Sequence, residues 1–315
     1  MEIHLTTARV PASVEMSPRD RVLAALDGEE SDRVPMFEFE VQIGDKLVGT
    51  PRTSNGRTLA QPDAERSFRF KVRLWRKLGY DMISVPLQML PLAQKIAPEL
   101  AYLGGCGRVS PMPAGMQDVE TIRRFYFEPS WVREKCAEMT KRAIEEAKIQ
   151  VEAGFEIIRG GLDDMAGKEG PFLAPRFYHR FIFPNLAKLV RAVHRMGAKL
   201  LVHSDGDLRP ILDGLVSSGI DALHSIDPSS GMDIRDVKER YGSRLCILGN
   251  VDCAWTLTYG KPGDVAAETR RCLNVAAPGG GYILSSSNVI HAYVPVENAL
   301  AMVKTGKRYG KYDNG

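Results

Sequence analysis

Residues 200–207, "LLVHSDGD", run an aliphatic segment directly into a histidine and two carboxylic acids. His203 and Asp205 lie two positions apart, so on an extended chain both point to the same side. An imidazole and a carboxylate facing one way can hold a divalent ion, or can form a hydrogen-bonded pair that orients a substrate. Asp207 precedes "LRPIL" and reads as a helix N-cap. Polar groups recur wherever an apolar run stops. Glu38 and Glu40 fall in "RVPMFEFEV", Asp163 and Asp164 in "GGLDDMAG", and His224 and Asp227 in "IDALHSID". Asn250 and Asp252 fall in "GNVD", and Ser285 to Asn288 with His291 close the last such run.

Each of these groups also has a plainer reading. Paired carboxylates at a strand end do acid–base work, but Asp163 and Asp164 equally suit a turn. His224 fits a satisfied core histidine. "GNVD" fits turn chemistry, because glycine and asparagine tolerate left-handed backbone. Cys253, just past a run, reads as a passive thiol. "PGGGY" precedes a strand instead of opening a helix, so it is a turn and not a phosphate cradle.

The elements that must carry these residues alternate regularly from residue 150 onward. "FEIIRGG", "KLLVHSDG", "IDALHSID", "RLCILGNVD" and "GYILSSSN" read as strands. Between and after them, "PNLAKLVRAVHRMG", "RPILDGLVSSG", "DIRDVKERYG", "GDVAAETRRCLNVAAPGG" and "PVENALAMVKTGKRYG" read as helices. Near the start, "SPRDRVLAALDG" carries helix signals from Ser17 as N-cap to Gly28 as stop. "RVPMFEFEV" and "YDMISVPL" add two strands, giving about seven, within one of the eight of a βα barrel. The third strand has no clear place between 95 and 130. Near-continuous apolar strands with interleaved helices imply a parallel sheet covered by helices on both faces. A doubly wound open sheet is the competitor. The single (β/α)8 TIM barrel is preferred because polar residues gather at the C-terminal end of nearly every strand, where a barrel builds its site. The expected organisation is a loose tail over 1–16 and one catalytic barrel over 17–315.

Composition narrows the function classes. The chain has 315 residues, 44% apolar and 26% charged, with 42 basic against 39 acidic residues and a net charge of +3. That balance, without a basic stripe, gives no nucleic-acid surface. No uncharged apolar run approaches a membrane span, and the first twenty residues do not read as a signal peptide. Five cysteines, none in a CxxC pair, suit reduced cytoplasmic chemistry.

The segments "SPRDRVLAALDGEESDRVP", "LVHSDGDLRPILDGLVSSGIDAL", "GMDIRDVKERYG", "LCILGNVD" and "PGGGYILSSSNVIH" resemble the uroporphyrinogen decarboxylase superfamily. The resemblance implies one βα barrel with its site at the C-terminal mouth. True decarboxylases of this kind carry an arginine-rich "MRQAGRY"-like segment for a polyanionic tetrapyrrole. Here "VPMFEFEVQIGDKL" is acidic and apolar, which would repel such a substrate. The chain is more similar to the corrinoid-dependent methyltransferase branch. Those relatives hold zinc on a His-x-Cys and a later cysteine; here the positions are His203-Ser204-Asp205 and, near the end, Ser287 or Asn288. Oxygen ligands make a harder, more Lewis-acidic site, suited to a methoxy leaving oxygen.

The resemblance therefore implies a cytoplasmic methyltransferase moving a methyl group between a small methylated or methoxylated donor and a corrinoid (cobalamin) on a separate protein. The sequence has no Asp-x-His-x-x-Gly corrinoid motif of its own. A divalent metal, taken as zinc, would sit on His203 and Asp205 with Asp163 or His291. Asp164, Glu38 and Asp163 are the acid–base residues. Glu40, His224, Asn250, Asp252 and Asn288 would contact substrate. A homodimer is compatible with this reading, and no nucleic acid or membrane enters it. The rivals are a decarboxylase acting on a tetrapyrrole or smaller acid, and a non-catalytic small-molecule-binding barrel.

Overall fold

Among the described residues the main sheet has seven strands: β1 (Met82–Ser84), β2 (Ala101–Arg108), β3 (Ile157–Gly161), β4 (Lys199–Ser204), β5 (Ala222–Ser225), β6 (Cys246–Val251) and β7 (Tyr282–Ser286). The computed structural model describes residues 15–48, 61–112 and 118–312, so the expected tail over 1–16 lies almost wholly outside the described residues. Sheet order follows chain order, and every neighbouring pair is parallel. Parallel neighbours need crossovers, and helices supply them. α1 (Pro18–Leu26) precedes the sheet; α2 (Gln61–Leu78), α3 (Pro129–Ala153), α4 (Phe183–Arg195), α5 (Leu212–Ser217), α6 (Ile234–Tyr241), α7 (Pro262–Ala276) and α8 (Val296–Tyr309) flank its strands. Among the described residues no helix is long and apolar enough to cross a membrane.

The sheet closes on itself through the extended segment 34–41. On one side Phe37 N–H donates to the Leu284 carbonyl at 3.0 Å and Leu284 N–H to the Pro35 carbonyl at 2.9 Å; on the other Asp81 N–H donates to the Met36 carbonyl at 2.8 Å. "RVPMFEFEV", expected as a strand, therefore completes the ring, but not as a regular ladder: its pairings at Met36–Leu284 and Val41–Ile290 are isolated bridges. Pro35 has no N–H and can accept from a neighbour but not donate to one. The strand that could not be placed from the sequence is β2, whose "AYLGGCGR" is glycine-rich and shifts register against β3 between Gly105 and Arg108. Such a strand carries no apolar alternation to read.

Two apolar layers result. Outside, helices α2 to α8 and the outer faces of the strands form one continuous core, with Trp75, Phe155, Leu189, Val202 and Tyr241 all buried. Inside, Phe37, Met82, Ala101, Ile157, Leu201, Ala222, Cys246 and Ile283 fill the barrel and meet Val22, Ala25 and Leu26 of α1. Several of these are the first residues of their strands, so α1 plugs the N-terminal end of the barrel. The helix forms as its sequence signals: Ser17 Oγ accepts from Asp20 N–H at 3.1 Å, Pro18 opens the first turn and Gly28 follows at φ +80. Arg21, 2% exposed, locks the plug by pairing with Asp32 and Asp81 at 2.6 Å, while Arg33 reaches Asp81 at 2.8 Å.

Candidate metal centre and adjoining cleft

One step above the apolar layer, the inward-facing positions turn polar. Leu201 and Ala222 face the lumen, so period two puts His203 and His224 there also, opposite each other across β4 and β5. Their Nδ1 atoms lie 2.8 Å apart. His224 Nε2 is 3.0 Å from the Ser286 carbonyl, an acceptor only, so Nε2 carries the proton. His224 Nδ1 must then accept, His203 Nδ1–H donates to it, and His203 Nε2 is left with a lone pair. Burial pushes the His203 imidazole down to about 4 and His224 well below its ordinary value, so both rings are neutral. Glu38 continues the chain: its oxygens accept from Ser286 N–H at 2.7 Å and Ser286 Oγ at 2.8 Å.

His203 Nε2 looks onto two carboxylates. Asp164 Oδ1 lies at 3.6 Å and Asp205 Oδ1 at 3.8 Å. Asp164 is held there by the Asp205 backbone N–H, which donates to Oδ1 at 2.9 Å. The loop carrying Asp164 is tied to β4 by Met165 N–H donating to Ser204 Oγ at 2.9 Å. Gly206, at φ +89, makes room: a Cβ there would stand 2.3 Å from the Ala166 carbonyl oxygen. Asn288 Nδ2 donates to Asp205 Oδ2. Asp205 Oδ1 is buried and has no hydrogen-bond partner. Burial, and then the charge of Asp164, push the Asp205 carboxyl up to about 7. One atom from each of these three residues can be chosen so that all lie within 4.8 Å of one another. A neutral imidazole lone pair, a second carboxylate and an orphaned carboxylate oxygen around one point make a donor set that a divalent cation fits.

The other candidate residues separate. Asp164 is drawn into the triad and away from a free acid–base role. Glu38 is not a group at the mouth: it is fully buried behind Phe39, and burial pushes its carboxyl up to about 8. His224 is likewise fully buried and meets His203, not the mouth. Asn250 turns outward, donating to the Ile226 carbonyl and accepting from Cys272 Sγ of α7, so it does not face the lumen. Asp252 caps a turn, its Oδ1 accepting from Ala254 and Trp255 N–H. His291 Nε2 lies 3.1 Å from Thr258 Oγ1 and 3.2 Å from the Cys253 carbonyl, outside the triad. Asp207 holds a turn with Arg209 instead of capping α5, which begins later at Leu212. Glu40 is exposed and meets Gln42. Asp163 Oδ1 accepts from Asp164 N–H at 3.1 Å and lies 3.8 Å from Arg159. Cys253 is held by Ser287 Oγ at 3.3 Å, and burial pushes its thiol up to about 11.

Sequence reasoning missed Phe39, Arg159 and Lys71 as parts of the mouth. Phe39 stands edge-on to both imidazoles, its ring 5.6 Å from His203 and 4.9 Å from His224. Arg159, a lone cation two positions above the inward-facing Ile157, lies over the Phe39 ring at 5.2 Å. That position in "FEIIRGG" was a readable signal. Lys71, on amphipathic α2, offered none. Together they line a cleft of about 500 Å³ over β1, β2 and β3.

A family model for uroporphyrinogen decarboxylase (URO-D) matches residues 112–309. The methylcobamide:CoM methyltransferase MtaA of Methanosarcina barkeri is 24% identical over 217 residues, 69% of this chain and 60% of that protein. The match thus covers less than two thirds of that relative's length. A uroporphyrinogen decarboxylase of Anaeromyxobacter dehalogenans is 27% identical over 280 residues, 86% of this chain and 75% of that protein. The solved structure of a methyltransferase from Methanosarcina mazei superposes with a TM-score of 0.73 at 19% identity, covering 94% of this chain and 99% of that one, which establishes the barrel fold.

Proposed function

The chain belongs to the uroporphyrinogen decarboxylase family, and from that premise we propose that it is a methyltransferase, moving a methyl group between a small methylated or methoxylated donor and a corrinoid carried by a separate protein. The observation that carries this reading is the Asp164–His203–Asp205 cluster, with its imidazole lone pair and unpartnered carboxylate oxygen. These three residues would hold a divalent ion, taken as zinc, which when bound supplies Lewis acidity at the donor's leaving atom. His224 and the Ser286 carbonyl keep His203 in the tautomer that presents Nε2. Asn288 orients Asp205 through Oδ2 and leaves Oδ1 free. Asp163 is the carboxyl beside the cluster not committed to the donor set, and it can pass a proton between solvent and the leaving oxygen. Phe39 walls the imidazoles from the cleft in which the donor would lie.

Two oxygen ligands in place of thiolates favour activation of a hard leaving atom over capture of a thiolate. The decarboxylase reading keeps the similarity to the Anaeromyxobacter protein. Among the described residues, however, the cleft lining offers only Lys71 and Arg159 as cations, too few to pair with a substrate bearing many carboxylates.

The test is metal analysis of the purified protein and of its His203→Ala variant, followed by transfer from methoxyarenes to free cob(I)alamin. Stoichiometric metal in the wild type, its loss in the variant and methylcobalamin formed only by the wild type are expected. A metal-free wild type, or a His203→Ala variant with full transfer activity, overturns the reading. Incubation with uroporphyrinogen, analysed for decarboxylated product, separates the rival.

A further inference from the structure

Of the six buried side-chain atoms left without a hydrogen-bond partner among the described residues, three gather at one place. Among the described residues, Ser84 Oγ, Gln150 Oε1 and Arg159 Nε are buried without a hydrogen-bond partner, and all three residues line the cleft above β1, β2 and β3. Buried polar groups are normally paired, so three orphans around one cleft point to a ligand that pairs them. Two cations stand at the same wall. Lys71 Nζ donates to the Ser84 carbonyl at 3.0 Å and lies over the Trp75 ring at 4.8 Å. Arg159 has one carboxylate near it, Asp163, at 3.8 Å, too long for a direct hydrogen bond. The wall also carries Glu146, but its Oε2 is taken by Gly107 N–H at 2.7 Å. Phe39 and Leu103 supply apolar lining, and Phe39 lies between Arg159 and the His203 ring.

Gly105 holds the cleft open. It is paired with Arg159 in register, and a Cβ there would meet nothing nearer than the Arg159 carbonyl oxygen at 3.7 Å. A larger side chain at this position would project into the cleft that Phe39, Lys71 and Arg159 line. The cleft, about 500 Å³, suits a compact molecule and not a macrocycle.

We propose that this cleft binds a small organic anion: a flat apolar body lies against Phe39, its oxyanion (carboxylate, sulfonate or phosphate) pairs with Arg159 and Lys71, and its far end reaches the Asp164–His203–Asp205 cluster. The proposal deepens the methyl-donor reading by assigning the donor's charge class, and rests on that reading for what happens to the ligand after binding. Recognition itself needs neither metal nor corrinoid. Arg159 presents a planar fork for an oxyanion and Lys71 a compact charge, so charge and not shape sets the preference.

Calorimetric titration of the full chain tests this with 3-methoxybenzoate, 3-methoxybenzenesulfonate and the neutral isostere 3-methoxybenzamide, in chelator-treated protein. The anions bind roughly ten- to a hundredfold tighter than the amide. Arg159→Gln and Lys71→Gln each reduce that preference about tenfold, whereas Arg159→Lys and Lys71→Arg keep most of it. Gly105→Leu removes binding of all three probes while circular dichroism and the melting profile stay those of a folded barrel. A preference for sulfonate over carboxylate identifies which oxyanion the fork accepts, and either one supports the proposal. Equal binding of amide and anions, no saturable binding of any probe up to about 10 mM, or an undiminished preference in a folded Arg159→Gln, Lys71→Gln double variant overturns it. Methyl transfer that proceeds equally from neutral and charged methoxyarenes would sink this inference alone. A charge preference without any methyl transfer would sink the methyltransferase reading alone.

Discussion

Replacing His224 by phenylalanine tests the tautomer relay directly. The ring volume is nearly kept, so the change is one of polarity in a fully buried position. It removes the acceptor for His203 Nδ1–H, 2.8 Å away, and the donor to the Ser286 carbonyl, 3.0 Å away. Each group left unpaired costs about 1–3 kcal/mol, so the barrel loses roughly 2–6 kcal/mol of stability. The larger consequence is at His203. Without its partner the imidazole populates the tautomer with the proton on Nε2, where it cannot ligate, and Zn2+ affinity falls roughly 10- to 100-fold. That corresponds to about 1.4–2.7 kcal/mol of binding free energy. Competition with a chromogenic chelator measures the affinity on protein shown to be folded. Nitrogen chemical shifts of the labelled imidazoles report the tautomer, with His203 Nε2 unprotonated in the wild type. A folded variant that binds Zn2+ within about twofold of the wild type, or a wild type whose His203 carries its proton on Nε2, refutes the reasoning.

Asp81→Ala leaves Arg21, buried and paired to Asp81 at 2.6 Å, without one of its carboxylates. Urea denaturation should show a loss of about 3–5 kcal/mol, and a loss below about 1 kcal/mol would mean that the ion network does not hold the plug. Glu38 is raised from its ordinary 4.5 to about 8 by burial, so its neutral form is the one the fold accommodates. That contribution is fully present below about pH 4.5 and is lost as pH rises through about 8, at about 1.4 kcal/mol per pH unit. Glu38→Gln should remove this slope from the pH dependence of stability, and an unchanged slope would show that Glu38 titrates normally. Asp205→Cys replaces a hard ligand by a soft one and should shift metal preference from Mn2+ toward Cd2+ and Zn2+ in the same competition assay, an unchanged order of metals counting against Asp205 as a ligand.

The sequence made the parallel strands β3 to β7 and their helices readable because each alternates an apolar run with a capped amphipathic helix. It hid β2, since Gly104, Gly105 and Gly107 carry no pattern, and it made segment 34–41 look more regular than Pro35 allows. At the site, the two-residue spacing of His203 and Asp205 puts both on one side, and Asp164, expected at the same mouth as an acid–base residue, stands beside them as a third donor. Glu38, His224 and Asn250 failed as mouth residues for a common reason. Strand ends were read from polarity alone, and polarity does not say whether a group faces the lumen, the sheet neighbour or the helix layer. Phe39 and Glu38 are adjacent, yet one walls the cleft while the other is sealed against Ser286. Arg159 is legible in "FEIIRGG" as a cation two positions past the inward-facing Ile157.

The distribution of charge at the mouth ties these pieces together. Asp163, Asp164 and Asp205 gather at the ends of β3 and β4, while Lys71 and Arg159 stand over β1 to β3, with Phe39 between the two groups. Were the carboxylates and cations meant only for each other, they would meet as close ion pairs, as Arg21 and Asp81 do at the opposite end of the same barrel at 2.6 Å. Instead the single approach between the two sets is Arg159 to Asp163 at 3.8 Å, and Asp205 Oδ1 and Arg159 Nε are both left unpaired. Keeping opposite charges apart in a half-buried mouth costs stability that a folded protein recovers only when something else neutralises each set. A cation on the acidic side and an anion on the basic side do so at once, and they meet across the Phe39 ring, where a donor's methyl-bearing end would have to lie.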